Sequence, residues 1–178
     1  MLHQRKSVPS PLCQNCFSNS IEKSSHVLRC RCRASKASFK LNVNKLIRPA
    51  LTEHKTFSLL QDAIMLILSK WRDRHKIRSC DFPNHPGLQA AIKEQSVIGW
   101  YNFMLGRWSH KWQSIQQQHI ISTVSLRSSS RWTAAIINKF MHTVWMIWQT
   151  RIDLKFGKHG TVQRSLHTDL DQEILSHF

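Results

Sequence analysis

Cys13-Gln14-Asn15-Cys16, followed by His26, Cys30 and Cys32, puts four of the five cysteines of this chain within a short stretch near its start. The spacing is C-x2-C-x9-H-x3-C. Thiolate and imidazole are donors that zinc favours, and a C-x2-C pair can reach one ion from a single loop. Three thiolates and one imidazole form a closed tetrahedral shell, so the expected Zn2+ would hold the fold together and keep no open position for catalysis. Cys13, Cys16, His26 and Cys30 are the expected ligands, with Cys32 as an alternative to Cys30. His26 and Cys30 converge if residues 27–29 complete one helical turn. Arg29, Arg31 and Arg33 are expected to favour the thiolates by lowering thiol pKa. The competing reading is a group of free surface cysteines. Cys80 stands apart and reads as an ordinary thiol.

No other arrangement of reactive side chains stands out. The acids are too few and scattered for a paired-carboxylate site. No Gly-rich phosphate loop and no His-Glu-x-x-His pattern occurs. The expectation is therefore a protein that is not an enzyme.

Charge gives the second signal. Lys and Arg number 26 against ten Asp and Glu, a net charge of +16. The excess is steepest in residues 1–48, where ten basic residues face one acid, Glu22. A basic front end beside a metal site is the electrostatic footprint of a polyphosphate partner, RNA or DNA. Arg29, Arg31, Arg33, Lys36 and Lys40 are the expected phosphate contacts. Trp108, flanked by Arg107 and Lys111, is the expected platform for an exposed base. The plainer reading of the same charges is a solvated basic tail.

The longest apolar run, residues 63–68, is far too short to cross a bilayer. The absence of acids before Glu22 leaves an organelle transit segment open, although Pro9 and Pro11 interrupt any helix there. The odd cysteine count and the histidine among the thiols point to a reducing compartment, nucleus or cytoplasm.

The elements that must position these residues are helical. Gly and Pro are scarce, at five each, which favours long helices over many short strands. Residues 1–12 read as a disordered basic tail, residues 13–34 as the metal loop, 35–157 as a helical domain and 158–178 as a flexible tail with a short helix near 168–175. Within the domain, Phe39, Val43, Leu46 and Ile47 mark a first helix that should stop before Pro49. Thr56 or Ser58 can cap a second, carrying Leu59, Leu60, Ala63, Ile64, Ile67, Leu68 and Trp71 on one face. A loop break near 77–87 follows. Further helices are expected over 88–96, 97–105 (with Gly106 as its cap), from a Ser109 cap onward, and over 131–155. The fold class is all-α: a small metal-binding loop followed by an irregular bundle of about five or six helices. Most of the seven tryptophans fall at helical spacings and are expected in the core.

Cys13-Gln14-Asn15-Cys16 and Ser24-Ser25-His26-Val27-Leu28-Arg29-Cys30 together resemble the zinc-binding tail that follows the polymerase in non-LTR retrotransposon reverse transcriptases. The likeness extends to the helical region after that tail in related algal proteins. It is carried by residues 56–71, Ile98-Gly99-Trp100, Phe103, Gly106-Arg107-Trp108-Ser109, Trp112, Gln116, Arg131-Trp132, Ile136-Ile137, Trp145, Trp148 and Arg151. The resemblance implies a module that holds element RNA or target DNA. It implies no polymerase, because the chain has no adjacent Asp pair, and it reads as a truncated or decayed element copy. After Arg151 the chain departs from the family, with Ile152-Asp153-Leu154 where an Asn and then a His are expected.

Overall fold

The computed structural model describes residues 12–13, 15–16 and 20–156. The tail expectations for residues 1–11 and 158–178 lie outside them. Helices α1 (Ser24–Arg29), α2 (Arg33–Asn42), α3 (Arg48–Glu53), α4 (Ser58–Arg72), α5 (Pro86–Ile98), α6 (Trp100–Met104), α7 (His110–Ser122) and α8 (Ser129–Phe156) follow one another. Among the described residues there is no strand, only one antiparallel bridge between Leu12 and Ile21. The all-α class holds.

The first domain helix does not stop at Pro49. A π-helical turn, Val43–Ile47, joins α2 to α3, and Pro49 sits in the first turn of α3. Proline fails inside an α-helix because it lacks an N–H and its ring meets the carbonyl four residues back. The wider turn, in which Arg48 N–H donates to the Val43 carbonyl five residues back, re-phases the backbone just before the proline. Helical direction therefore survives it.

α4 buries Leu60, Ala63, Ile64, Ile67, Leu68 and Trp71 on one stripe. Each large aliphatic side chain there stabilises the fold by roughly 1.5–3 kcal/mol. Neither Thr56 nor Ser58 caps α4. The Phe57 N–H donates instead to Gln116 Oε1 at 2.9 Å, and the Thr56 hydroxyl accepts from Trp132 Nε1 at 2.7 Å. Ser109 does cap α7, accepting from the Lys111 N–H.

The break between α5 and α6 falls at Gly99, with φ +99°, not before Val97. Gly106 ends α6 at φ +76°, where an added Cβ would lie 2.7 Å from Ile137 Cγ2. Buried Gln95 ties this corner together: its Oε1 accepts from Ser109 N–H and Trp112 Nε1, and its Nε2 donates to the Arg107 carbonyl.

α8 runs the length of the bundle and meets α1, α2, α3, α6 and α7. Its buried side Trp132, Ile136, Phe140, Thr143, Ile147, Arg151 advances by three or four residues. Leu28 of α1 lies in the same core as Leu60, Phe103 and Phe140. The metal loop is therefore packed onto the helices, and α2 begins at Arg33, two residues before the expected domain start.

Candidate metal centre

The Leu12–Ile21 bridge and the Cys13 N–H, which donates to the Ser20 carbonyl, bend the first cysteine pair back on itself. α1 then supplies the helical turn that sequence spacing required between His26 and Cys30. The Sγ atoms of Cys13, Cys16 and Cys30 and a ring nitrogen of His26 all lie within 4.8 Å of one another. Cys13 and Cys30 sulfurs are 3.8 Å apart, and Cys16 Sγ lies 3.4 Å from His26 Nε2. A tetrahedral ion with metal–sulfur bonds near 2.3 Å and metal–nitrogen bonds near 2.0–2.1 Å needs edges of about 3.8 Å and about 3.6 Å. The four donors can hold a metal ion. Cys32 is not among them: its sulfur caps α2, accepting from the Ser35 N–H at 3.4 Å. Cys30 is the cysteine placed with the group.

Two arginines from distant helices frame the centre. Arg151 Nη2 donates to Cys13 Sγ at 3.2 Å, while its Nε pairs with Glu22 Oε1 at 2.5 Å. Lys155 holds the other Glu22 oxygen at 2.6 Å. Arg72 Nη2 donates to the Cys30 carbonyl at 2.6 Å. Both guanidiniums are buried, and Arg72 Nε and Arg151 Nη1 find no hydrogen-bond partner among the described residues. A buried cation needs a nearby negative charge. Among the described residues, Glu22 is the one acid paired with Arg151 and Lys155. A divalent ion with three thiolates carries a net negative charge and supplies the rest, so the donor set fits a bound metal.

Protonation agrees with this at His26 and opposes it at Cys30. Burial pushes the Cys30 thiol up to about 12, so by itself it stays protonated, and a metal must displace that proton. Burial, then the charges of Arg74 and Arg151, holds the His26 imidazole below its ordinary value, in the neutral ligating form. The sequence expectation that Arg29, Arg31 and Arg33 lower the thiol pKa fails at Cys30, where burial raises it instead.

The expected nucleic-acid residues divide. Arg31, Arg33, Lys36 and Lys40 are exposed at the start of α2 and along it, and Arg107 is exposed. Lys111 is half-buried. Arg29 is turned inward, its guanidinium 5.1 Å over the Trp71 ring. Trp108 is not an exposed platform. It stacks on Phe103 at 4.6 Å with 6° between the planes, meets Phe140 edge-on at 5.1 Å, and donates its N–H to the Phe103 carbonyl. The apolar neighbours of a bundle corner outweigh the flanking charges in placing that ring.

Glu22, Lys155, Arg72 and Arg151 were not foreseen as site residues. A signal for the arginines existed: Arg72 follows Ile64 and Leu68 by four-residue steps, and Arg151 follows Thr143 and Ile147 likewise. A cation in register with a buried stripe must have a partner inside. Comparison with protein-family models, curated proteins and solved structures returns no match to this chain.

Proposed function

We propose that this chain is a non-enzymatic, zinc-stabilised nucleic-acid-binding module of retroelement type. Three cysteines and one histidine favour zinc among divalent ions, and four protein donors leave no position for a reacting water. The observation that carries the reading is the four-donor cluster beside α2, from which Arg31, Arg33, Lys36 and Lys40 reach solvent. A metal-rigidified loop fixes where those cations stand. Phosphate contacts of this kind release counterions, so binding should be salt-dependent and tolerant of sequence. Four contacts give a slope of about −3 on single strands and about −3.6 on duplex DNA in log K against log salt. A titration of the purified protein against RNA and DNA over a salt series tests this, and affinity that ignores ionic strength rejects it.

A second reading has one observation in its favour. Trp145, Met141 and Met146 on α8 are exposed by 57%, 44% and 38%, which suits a protein-interaction surface. Size-exclusion chromatography with and without nuclease separates the two readings.

A further inference from the structure

Beside the metal loop, a groove of about 440 Å³ is lined by Arg29, Trp71, Lys76, Arg78, Trp100 and Tyr101, among others. That volume lies within the roughly 300–1,000 Å³ range of ligand pockets. Trp100 and Tyr101 are half-buried, at the start of α6. Trp71 is buried, and the planar Arg29 guanidinium lies over its ring. A smaller pocket of about 80 Å³ is lined by Arg31, Lys36, Arg72, Asp73 and Arg74, four cations around one acid. Arg74 links the two depressions, since its Nη2 donates to the Arg29 carbonyl at 3.5 Å.

Aromatic planes and fixed positive charge in one groove match one ligand chemistry: a flat, neutral, π-faced group attached to an anion. We propose that the groove receives an unpaired base of single-stranded nucleic acid, stacked against Trp100, Tyr101 and Arg29. Lys76, Arg78 and the neighbouring Arg31–Lys36–Arg74 pocket hold the phosphates on either side. This rests on the nucleic-acid reading above and narrows it. A duplex keeps its base faces covered by neighbouring pairs, whereas a single strand can turn a base out onto a protein ring. Stacking is tolerant of sequence because every base has a π-face, and an arginine plane adds cation–π attraction.

The test measures zinc-loaded full chain against labelled single-stranded RNA, single-stranded DNA and a duplex of equal length. Single strands should bind about tenfold or more tightly than duplex and quench tryptophan fluorescence. Trp100→Leu should lower single-strand affinity about tenfold and leave duplex affinity in place. Lys76→Gln, at an exposed position, should lessen the single-strand salt slope by about one. Because Trp100 also supports the fold, a photoreactive single strand is cross-linked to the wild-type protein as well, with attachment expected at Trp100 or Tyr101. Equal affinity for duplex and single strand, or cross-links confined to other surfaces, overturns the groove assignment while leaving phosphate binding intact. Absence of any nucleic-acid binding at low salt overturns both readings. The RNA and DNA arms show which strand is preferred.

Discussion

Arg151 Nη2 lies 3.2 Å from Cys13 Sγ, a contact that spans 138 positions of sequence. The same guanidinium holds Glu22 through its Nε. One side chain near the end of α8 thus meets both a candidate metal ligand and the single acid of the basic front end. Charged groups of this kind around metal ligands orient them and tune their basicity.

Removing that side chain is informative. Arg151→Met should destabilise the protein by about 1.5–3 kcal/mol, because Glu22 keeps Lys155 but loses its charged hydrogen bond from Arg151, and should weaken metal affinity roughly 10–100-fold. Arg151→Lys should not restore either, since one ammonium cannot reproduce the fork between carboxylate and sulfur. Denaturant melts and competition with a chromophoric chelator read the two effects. Unchanged metal affinity in both variants would sink the account.

The metal assignment separates two neighbouring cysteines. Purified protein should contain one zinc per chain. Cys13→Ser, Cys16→Ser, His26→Ala and Cys30→Ser should each lose it, while Cys32→Ser should keep it, because serine caps a helix at least as well as cysteine. Chelation should lower the melting temperature by roughly 10 °C or more, corresponding to several kcal/mol for a chain of this size. Elemental analysis and thermal melts decide.

Glu22 gives a pH dependence whose sign is fixed. Burial raises its carboxyl, but the hydrogen bonds and charges of Arg151 and Lys155 outweigh that and hold it below its ordinary 4.5. A carboxylate lowered in the folded state stabilises it above the unfolded value, and that stability is lost as pH falls through the lower folded value. Unfolding free energy should therefore decline as acid is added below about pH 4.5, and the decline should be shallower in Glu22→Gln. Parallel pH curves for the two proteins would remove Glu22 from the argument.

Away from the candidate metal centre, Gln95 is fully buried and makes hydrogen bonds to α7 and to the turn between α6 and α7. Gln95→Leu keeps the volume but leaves the Trp112 N–H and Ser109 N–H without their acceptor. The expected cost is about 1–3 kcal/mol, most of it from stranded donors. A calorimetric melt that is unchanged would show that those donors find other partners.

What the sequence disclosed was local. The four candidate ligands fall within eighteen residues and converge through one bridge and one helical turn, so their spacing was enough to bring them together. α4, α7 and α8 each show a repeating apolar stripe, and their extents match expectation closely. Contacts between distant segments were hidden. Nothing near Glu22 indicates Arg151, and nothing near Trp108 indicates that Phe103 and Phe140 will enclose it. Helix ends were also hard to read, because Lys55, Arg74 and Val124 take positive φ where glycine is usual. Bonds from Thr56, His75 and Ser125 N–H back to residues five earlier close those ends regardless of side chain.

The clasp between the metal loop and α8 has a bearing on how the chain is made. Cys13 leaves the ribosome long before Arg151 and Lys155, so the thiol-rich segment waits through synthesis of nearly the whole bundle for its guanidinium and ammonium partners. Closing so distant a contact is entropically late. Nascent protein halted within α8 would therefore carry incompletely enclosed sulfurs, and the last turns of that helix act as the latch that ends their exposure.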